Sequence, residues 1–366
     1  MRAAFLWAWL AVAFSGCSWT RVPLDDPRIQ YTGRVDHGDP AGPRFSNTGT
    51  SVAVRVGAPA VRFHLRDVPY ARKDGTRHTN RYELLIDGAP AGVLAAETPE
   101  WWQTVELEPG EHVVELFKRT EAAVGQGQLL SIEIPFGGHV SAPPERPARR
   151  IEIIGDSLTT GFGDLGAGPQ CPFSSITEDG YRAYGSLAGR LLHAEMHIVA
   201  WEGRGVVRNY DLDAVDTIPQ LYERTLPEDP ASRWDFSKWT PQVVVIQAGA
   251  NDFGQTGLDI PAFEQGYFDL VKEVRRRYPQ ALILCGAVGV TDDWPQGAHY
   301  GTLSRQAMER IMQRLAAAGL TKVKTFEFAP PSPLDGLGCL WHATLPSHQA
   351  RAQRLRDVIS QAMGWR

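Results

Sequence analysis

The sequence predicts an α/β protein in two parts: an N-terminal β-sandwich, then a mainly parallel sheet flanked by helices. Three observations predict it. Between about Thr20 and Pro135, short runs alternate apolar and polar residues and are broken by Gly, Pro and Asp, the pattern of half-buried strands. From Arg150 onward, short apolar runs alternate with segments of helical period, the pattern of βαβ units. Between them, Ser141-Ala142-Pro143-Pro144-Glu145-Arg146-Pro147 supplies prolines that give no N–H to a sheet ladder. The expected organisation is therefore a sandwich over residues 20–140, a linker over 141–149 and an α/β domain over 150–366. At roughly 150 residues per domain, 366 residues have room for both.

Composition narrows the function classes. The chain carries 37 Lys and Arg against 42 Asp and Glu, net −5, with no long run of either sign. A nucleic-acid groove or a polybasic membrane patch would concentrate positive charge, so no nucleic-acid partner is expected and a neutral or polar small substrate fits better. Hydrophobic residues at 43% with charged residues at 22% rule out a wholly disordered, collagen-like or polytopic membrane chain.

At the N-terminus, Arg2 is followed by an apolar run from Ala3 to Phe14, short of the roughly 20 residues that span a bilayer. Residues 1–16 read as a signal peptide, so the chain is expected to be exported. The run closes with Phe14-Ser15-Gly16-Cys17, which resembles the bacterial lipobox with Phe14 in place of the usual Leu. That makes Cys17 the expected lipidation site and the protein a cell-envelope lipoprotein, periplasmic or surface-facing. The alternative is an ordinary secretory signal cut nearby. Of the remaining cysteines, Cys285 lies in the apolar stretch Ala281-Leu282-Ile283-Leu284-Cys285 and reads as a small core residue. Cys171 and Cys339 fall in loops bordering one site and are a candidate pair, although spacing alone does not establish bond geometry.

Sandwich strands are expected at Ser51–Val56, at Tyr82–Ile86 ahead of an Asp87-Gly88 hairpin turn, and at His112–Phe117. In the second part they are expected at Ile151–Ile154, Met196–Ala200, Val243–Ile246, Leu282–Leu284 and Val323–Phe326. Tyr184, Leu187, Ala188, Leu191 and Leu192 share one helix face; Leu303, Ala307, Ile311 and Leu315 share another before a capping Gly319. The final helix presents Leu355, Val358, Ile359 and Ala362. Ligands of such folds bind beyond the carboxyl ends of the strands.

The first strand is followed by Gly155-Asp156-Ser157-Leu158-Thr159-Thr160-Gly161. A serine at a strand-to-helix turn is exposed to attack a substrate, with its own N–H aimed where an oxyanion forms. A plain N-cap serine is the alternative for Ser157 alone. After the second strand comes Trp201-Glu202-Gly203-Arg204-Gly205 and after the third Gly249-Ala250-Asn251-Asp252, so a glycine N–H and an amide stand at neighbouring strand ends. Acyl transfer needs such fixed donors. Trp341-His342 lies in a loop ahead of the last helix, and His342 is the candidate base; the alternative is a surface-loop histidine.

These blocks resemble the SGNH, or GDSL-type, hydrolase superfamily, whose four named residues would be Ser157, Gly203, Asn251 and His342. The resemblance extends to carbohydrate esterase family 2 through Cys171-Pro172-Phe173-Ser174, Thr177-Glu178-Asp179-Gly180, Gly203-Arg204-Gly205-Val206-Val207-Arg208-Asn209 and Gly338-Cys339-Leu340-Trp341-His342. It implies an SGNH-type parallel sheet preceded by a jelly-roll-like sandwich, and an enzyme that removes acetyl groups from plant polysaccharides of xylan or glucomannan type. Ser157 and His342 would be catalytic, with Ser157, Gly203 and Asn251 as the oxyanion hole and no metal or other cofactor. Between Gly203 and Gly205 the superfamily pattern favours Gly203.

The last block departs from that pattern. The superfamily usually has Asp three positions before the histidine and Pro just after it, where this chain has Cys339 and Ala343; Leu340 stands where relatives often show an acidic residue. A Ser-His dyad remains workable if a backbone carbonyl accepts the Nδ1 proton. Asp335 is a distant candidate for a third member. Asp156 reads as a structural residue bonded to the turn. His193, Glu195 and His197 lack His-Glu-x-x-His spacing and straddle a helix end and a strand start, so their side chains are not expected to converge on a metal. Gly161-Phe162-Gly163 is only a fragment of a nucleotide loop. Trp294, in a proline turn after the fourth strand, is the candidate sugar platform, against plain packing. Two competing readings are a degenerate carbohydrate-binding lipoprotein and a lipase or thioesterase on the same fold.

Overall fold

The structure is a computed structural model that describes residues 18–71, 75–96, 98–286, 299–329 and 333–365. The N-terminal part contains β1 (Trp19–Val22), β2 (Gln30–Thr32), β3 (Arg44–Phe45), β4 (Ser51–Gly57), β5 (Ala60–Pro69), β6 (Arg81–Ile86), β7 (Ala89–Ala95), β8 (Glu100–Glu106), β9 (Glu111–Lys118), β10 (Gly125–Pro135) and β11 (His139–Ser141). They pair into two antiparallel sheets. One runs β1-β10-β5-β8 with β3 on β10, the other β11-β4-β9-β6-β7 with β2 on β4. Alternation decides the faces: in β5, Val61, Phe63 and Leu65 are buried while Arg62, His64 and Arg66 stay partly exposed. Those inward residues share one core with Val54, Val56, Val114 and Leu116 of the facing sheet. Asp87 and Gly88 join β6 to β7 with φ of 53° and 80°, positive at both central positions as a two-residue hairpin turn requires.

Residues 142–148 carry no regular secondary structure. The second part then runs β12 (Arg149–Gly155), α1 (Ser157–Thr160), α2 (Tyr184–Leu191), β13 (Ala194–Ala200), α3 (Ile218–Tyr222), β14 (Val243–Gln247), α4 (Ala250–Phe253), α5 (Ile260–Arg277), β15 (Leu282–Gly286), α6 (Tyr300–Ala317), β16 (Val323–Phe326) and α7 (Leu345–Met363). The sheet is parallel in the order β13-β12-β14-β15-β16. Successive residues of β14 serve opposite layers: Val243 and Val245 pack with Tyr184 of α2 and Leu355 and Ile359 of α7, while Val244 and Ile246 pack with Phe263 and Val271 of α5 and Ile311 of α6. A strand buried on both faces reads as a continuous apolar run. Leu191, expected on the buried face of α2, is 46% exposed because the helix ends there.

The two parts meet through buried polar groups. Arg34 of the sandwich donates to Glu152 Oε1 on β12 at 3.0 Å and to the carbonyls of Tyr222 and Arg224, and both ion-pair partners are fully buried. Arg119 pairs with Asp179 at 2.8 Å.

Candidate active site

Because β12 has β13 on one side and β14 on the other, the chain leaves β12 at the point where strand order reverses, the place where sheets of this kind form their ligand crevice. Gly155 is in register with Ala200 of β13 and Gln247 of β14, so the three following turns lie side by side. Asp156 takes an extended conformation and caps α1, its carboxylate accepting from the Leu158 N–H at 3.2 Å. Burial pushes that carboxyl up to about 7. A Cβ at Gly155 would lie 2.1 Å from Thr159 Oγ1, so only glycine permits the sharp turn. The turn places Ser157 at the first helical position, half-buried beyond the end of β12.

Residues Cys339–Trp341 form a short 3₁₀ turn in which Leu340 and Trp341 are both left-handed, with φ of 51° and 67°. For non-glycine residues this costs roughly 1–2 kcal/mol each. It brings the carbonyls of Cys339 and Leu340 to 3.1 and 3.0 Å from His342 Nδ1. Carbonyl oxygens only accept, so Nδ1 carries the proton and Nε2 keeps its lone pair. Nε2 lies 2.8 Å from Ser157 Oγ, whose hydroxyl donates to it. Burial holds the imidazole below its usual 6.5, while the Cys339 carbonyl, the charge of Glu202 and the Leu340 carbonyl act in the opposite direction. Phe162 packs on the ring at 4.5 Å between centroids and stacks on Phe173 at 4.3 Å. Asp335 lies in the 3₁₀ turn Pro333–Asp335, where its backbone carbonyl accepts from Thr344 Oγ1. Among the described residues no carboxylate hydrogen-bonds the imidazole.

Gly203 and Gly205 differ. The Gly205 N–H donates to Asn209 Oδ1, and a Cβ there would lie 1.9 Å from the Arg208 carbonyl oxygen. Gly203 has φ of 72° with nothing within 4 Å of an added Cβ, and its N–H donates to no group among the described residues. Asn251, in the first turn of α4, donates from Nδ2 to the Arg204 carbonyl at 2.9 Å, which fixes which end of the amide presents N–H groups. The structure thus brings Ser157 and His342 into contact and sets Gly203 and Asn251 on the adjacent strand-end turns.

Sequence reasoning missed other residues here. Buried Asp252 accepts from the N–H groups of Val206, Val207 and Arg208, tying the turn after β13 to α4. Glu121, a fully buried sandwich residue, accepts from the Glu202 N–H at 2.6 Å, one residue before Gly203. Trp341 is 59% exposed beside His342, and that adjacency was its only signal. Cys171 and Cys339 are joined by a disulfide, and Cys285 is free and buried. Trp294 and Cys17 lie outside the described residues. Glu195 and His197 lie 3.9 Å apart, because β13 begins at Ala194 and puts both on one face. Glu195 is engaged by the Trp239 indole and by Arg146, and His197 stacks on Trp239. Among the described residues no three His, Cys, Asp or Glu side chains are placed to hold a metal ion.

Comparison with known proteins agrees with this architecture. Residues 31–144 match the family described as carbohydrate esterase 2 N-terminal, and residues 153–358 match the GDSL-like lipase/acylhydrolase family. The chain is 35% identical over 344 residues to the cellulase/esterase CelE of Acetivibrio thermocellus, covering 93% of this chain and 40% of that protein's length. It is 25% identical to an acetylxylan esterase/glucomannan deacetylase of Cellvibrio japonicus, covering 94% and 91% of the two chains. A solved family two carbohydrate esterase from Clostridium thermocellum, in complex with cellohexaose, superposes with a TM-score of 0.84 at 32% identity, over 92% of this chain and all of that one. By sequence and by fold, the chain belongs to carbohydrate esterase family 2, with a C-terminal domain of the GDSL-like lipase/acylhydrolase family.

Proposed function

We propose that this protein is an exported serine esterase that removes O-acetyl groups from carbohydrates of xylan or glucomannan type. One observation carries the reading: Ser157 Oγ lies 2.8 Å from an imidazole nitrogen whose lone pair is free to take its proton. Ser157 attacks the acetyl carbonyl carbon as its proton passes to His342 Nε2. The oxyanion so formed meets the N–H groups of Ser157, Gly203 and Asn251, each such donor being worth roughly 10²–10³ in rate. Collapse breaks the bond to the sugar oxygen, which leaves with the proton from Nε2. Water then gives a proton to Nε2 and its oxygen to the acyl carbon, releasing acetate and restoring Ser157. In that second half the bond from the acyl carbon to Oγ breaks and Nε2 returns water's proton to Oγ, replacing the proton that left with the sugar. The relatives' printed activities, acetylxylan esterase and glucomannan deacetylase, support the substrate class.

Export through residues 1–16, with a lipid on Cys17, belongs to the same reading. A disulfide between Cys171 and Cys339 supports it, since such bonds persist in oxidising compartments. The test is a substrate panel: acetylated xylan, acetylated glucomannan, and short- and long-chain p-nitrophenyl esters. Preference for the acetylated glycans supports the deacetylase; preference for long chains indicates a lipase or thioesterase; no turnover by folded protein indicates a binding module.

A further inference from the structure

Among the described residues no carboxylate hydrogen-bonds the base of this site, so its orientation depends on the turn that carries the two carbonyls. That turn contains two consecutive left-handed non-glycine residues, a backbone that persists only where its surroundings over-determine it. Two of the backbone bonds holding it are internal, from the Gly338 N–H to the His342 carbonyl and from the His342 N–H to the Cys339 carbonyl; one reaches outward, from the Cys339 N–H to the Gly163 carbonyl. The covalent link is the bond from Cys339 to Cys171, which spans 168 residues of sequence. It lands on the loop that also supplies Phe162 and Phe173, so one loop fixes the face of the imidazole by ring packing and its Nδ1 side by the disulfide. The fit is close. A Cβ at Gly166 would lie 2.4 Å from Cys339 Sγ and 2.7 Å from Cys171 Sγ, so the loop backbone packs directly on the bridge. Cys339 itself is fully buried and occupies the chain position where the superfamily usually has Asp.

We propose that the Cys171–Cys339 disulfide is a positioning group for the esterase reaction: it pins the turn whose carbonyls aim His342 at Ser157, and its reduction slows the chemical step while leaving substrate binding intact. The inference rests on the esterase reading given above. Reduction by a dithiol transfers two electrons and two protons, breaks the S–S bond, leaves two cysteine thiols and converts the reductant to its cyclic disulfide; reoxidation reverses it.

The experiment uses the mature chain oxidised, reduced with dithiothreitol and reoxidised, beside Cys171→Ala, which leaves the buried Cys339 in place. Thiol titration reports the bond, and near-UV circular dichroism with Tm reports the fold, at an assay temperature well below the reduced Tm. Misplacing a catalytic group by about 1 Å costs about 10²-fold, so kcat is expected to fall by that order with KM changed less than about twofold. The acid limb of kcat/KM is expected to move to lower pH, because the carbonyl bonds that hold the imidazole's pKa up are weakened while the charge of Glu202, on the turn after β13, is left in place. Reoxidation restores the wild-type rate and not that of Cys171→Ala. Reduced, folded protein that keeps its kcat within about twofold overturns the proposal. A loss of kcat with a matching rise in KM and an unmoved acid limb also overturns it, since that marks general loosening. Absence of Ser157-dependent turnover in the oxidised protein instead overturns the esterase reading, and this inference falls with it.

Discussion

Replacing Asp335 with alanine leaves ester turnover nearly intact, whereas replacing His342 removes it. The contrast follows from where the Nδ1 proton goes. In a triad, disabling the carboxylate that holds Nδ1 drops kcat by about 10⁴, or roughly 5.4 kcal/mol of barrier. Here that proton faces the carbonyls of Cys339 and Leu340 at 3.1 and 3.0 Å. Among the described residues, Asp335 hydrogen-bonds through its backbone carbonyl, which accepts from Thr344 Oγ1 and which alanine preserves. Asp335→Ala is therefore expected to change kcat by less than about threefold, within roughly 0.7 kcal/mol of barrier, while His342→Ala loses about 10⁴-fold or more. Initial rates on p-nitrophenyl acetate and acetate release from acetylated xylan measure both, with circular dichroism to confirm the fold. A loss near 10³-fold in folded Asp335→Ala would refute the reasoning, because a carboxylate would then be holding the imidazole.

The remaining predictions test the surroundings. Because burial holds His342 below 6.5, the acid limb of kcat/KM is expected below pH 6.5, with activity lost as Nε2 protonates on further acidification; an acid limb above pH 7 contradicts the account. Arg34→Met strands buried Glu152, which then enters the fold protonated. Neutralising a carboxyl of ordinary pKa 4.5 at pH 7 costs at most about 3.4 kcal/mol, at roughly 1.4 kcal/mol per pH unit. A folded pKa raised in this way favours the folded state at low pH and is lost as pH rises, so the variant's stability deficit is expected to shrink between pH 7 and pH 5. Denaturant midpoints that show a constant deficit would contradict it. Glu121→Ala removes the acceptor of the Glu202 N–H, at a stability cost of roughly 1–3 kcal/mol, and is expected to lower kcat about tenfold by freeing the Gly203 peptide. Unchanged kcat in the folded variant separates the sandwich from the chemistry.

Much of this fold is legible in the sequence where burial is two-sided or strictly alternating. Strands β12, β14 and β15 read as apolar runs because helices cover both faces, and β9 alternates half-buried with buried positions because one face is partly solvated. By contrast β7 is exposed along most of its length, so no apolar period marks it. Ser157, Gly203 and Asn251 are legible because each follows a strand that ends in register with its neighbours. Glu121 is not: it lies in a turn of small residues, and its bond to Glu202 crosses 81 positions. The carbonyls that hold His342 are equally silent, since left-handed Leu340 and Trp341 follow from tertiary packing and not from local preference.

The measurement that bears most directly on the central claim is acetate release from acetylated xylan and glucomannan by the mature chain, with Ser157→Ala alongside. The account predicts acetate release that falls by about 10⁴-fold or more in the folded variant. Equal rates for the two proteins, or no release by either, would contradict it.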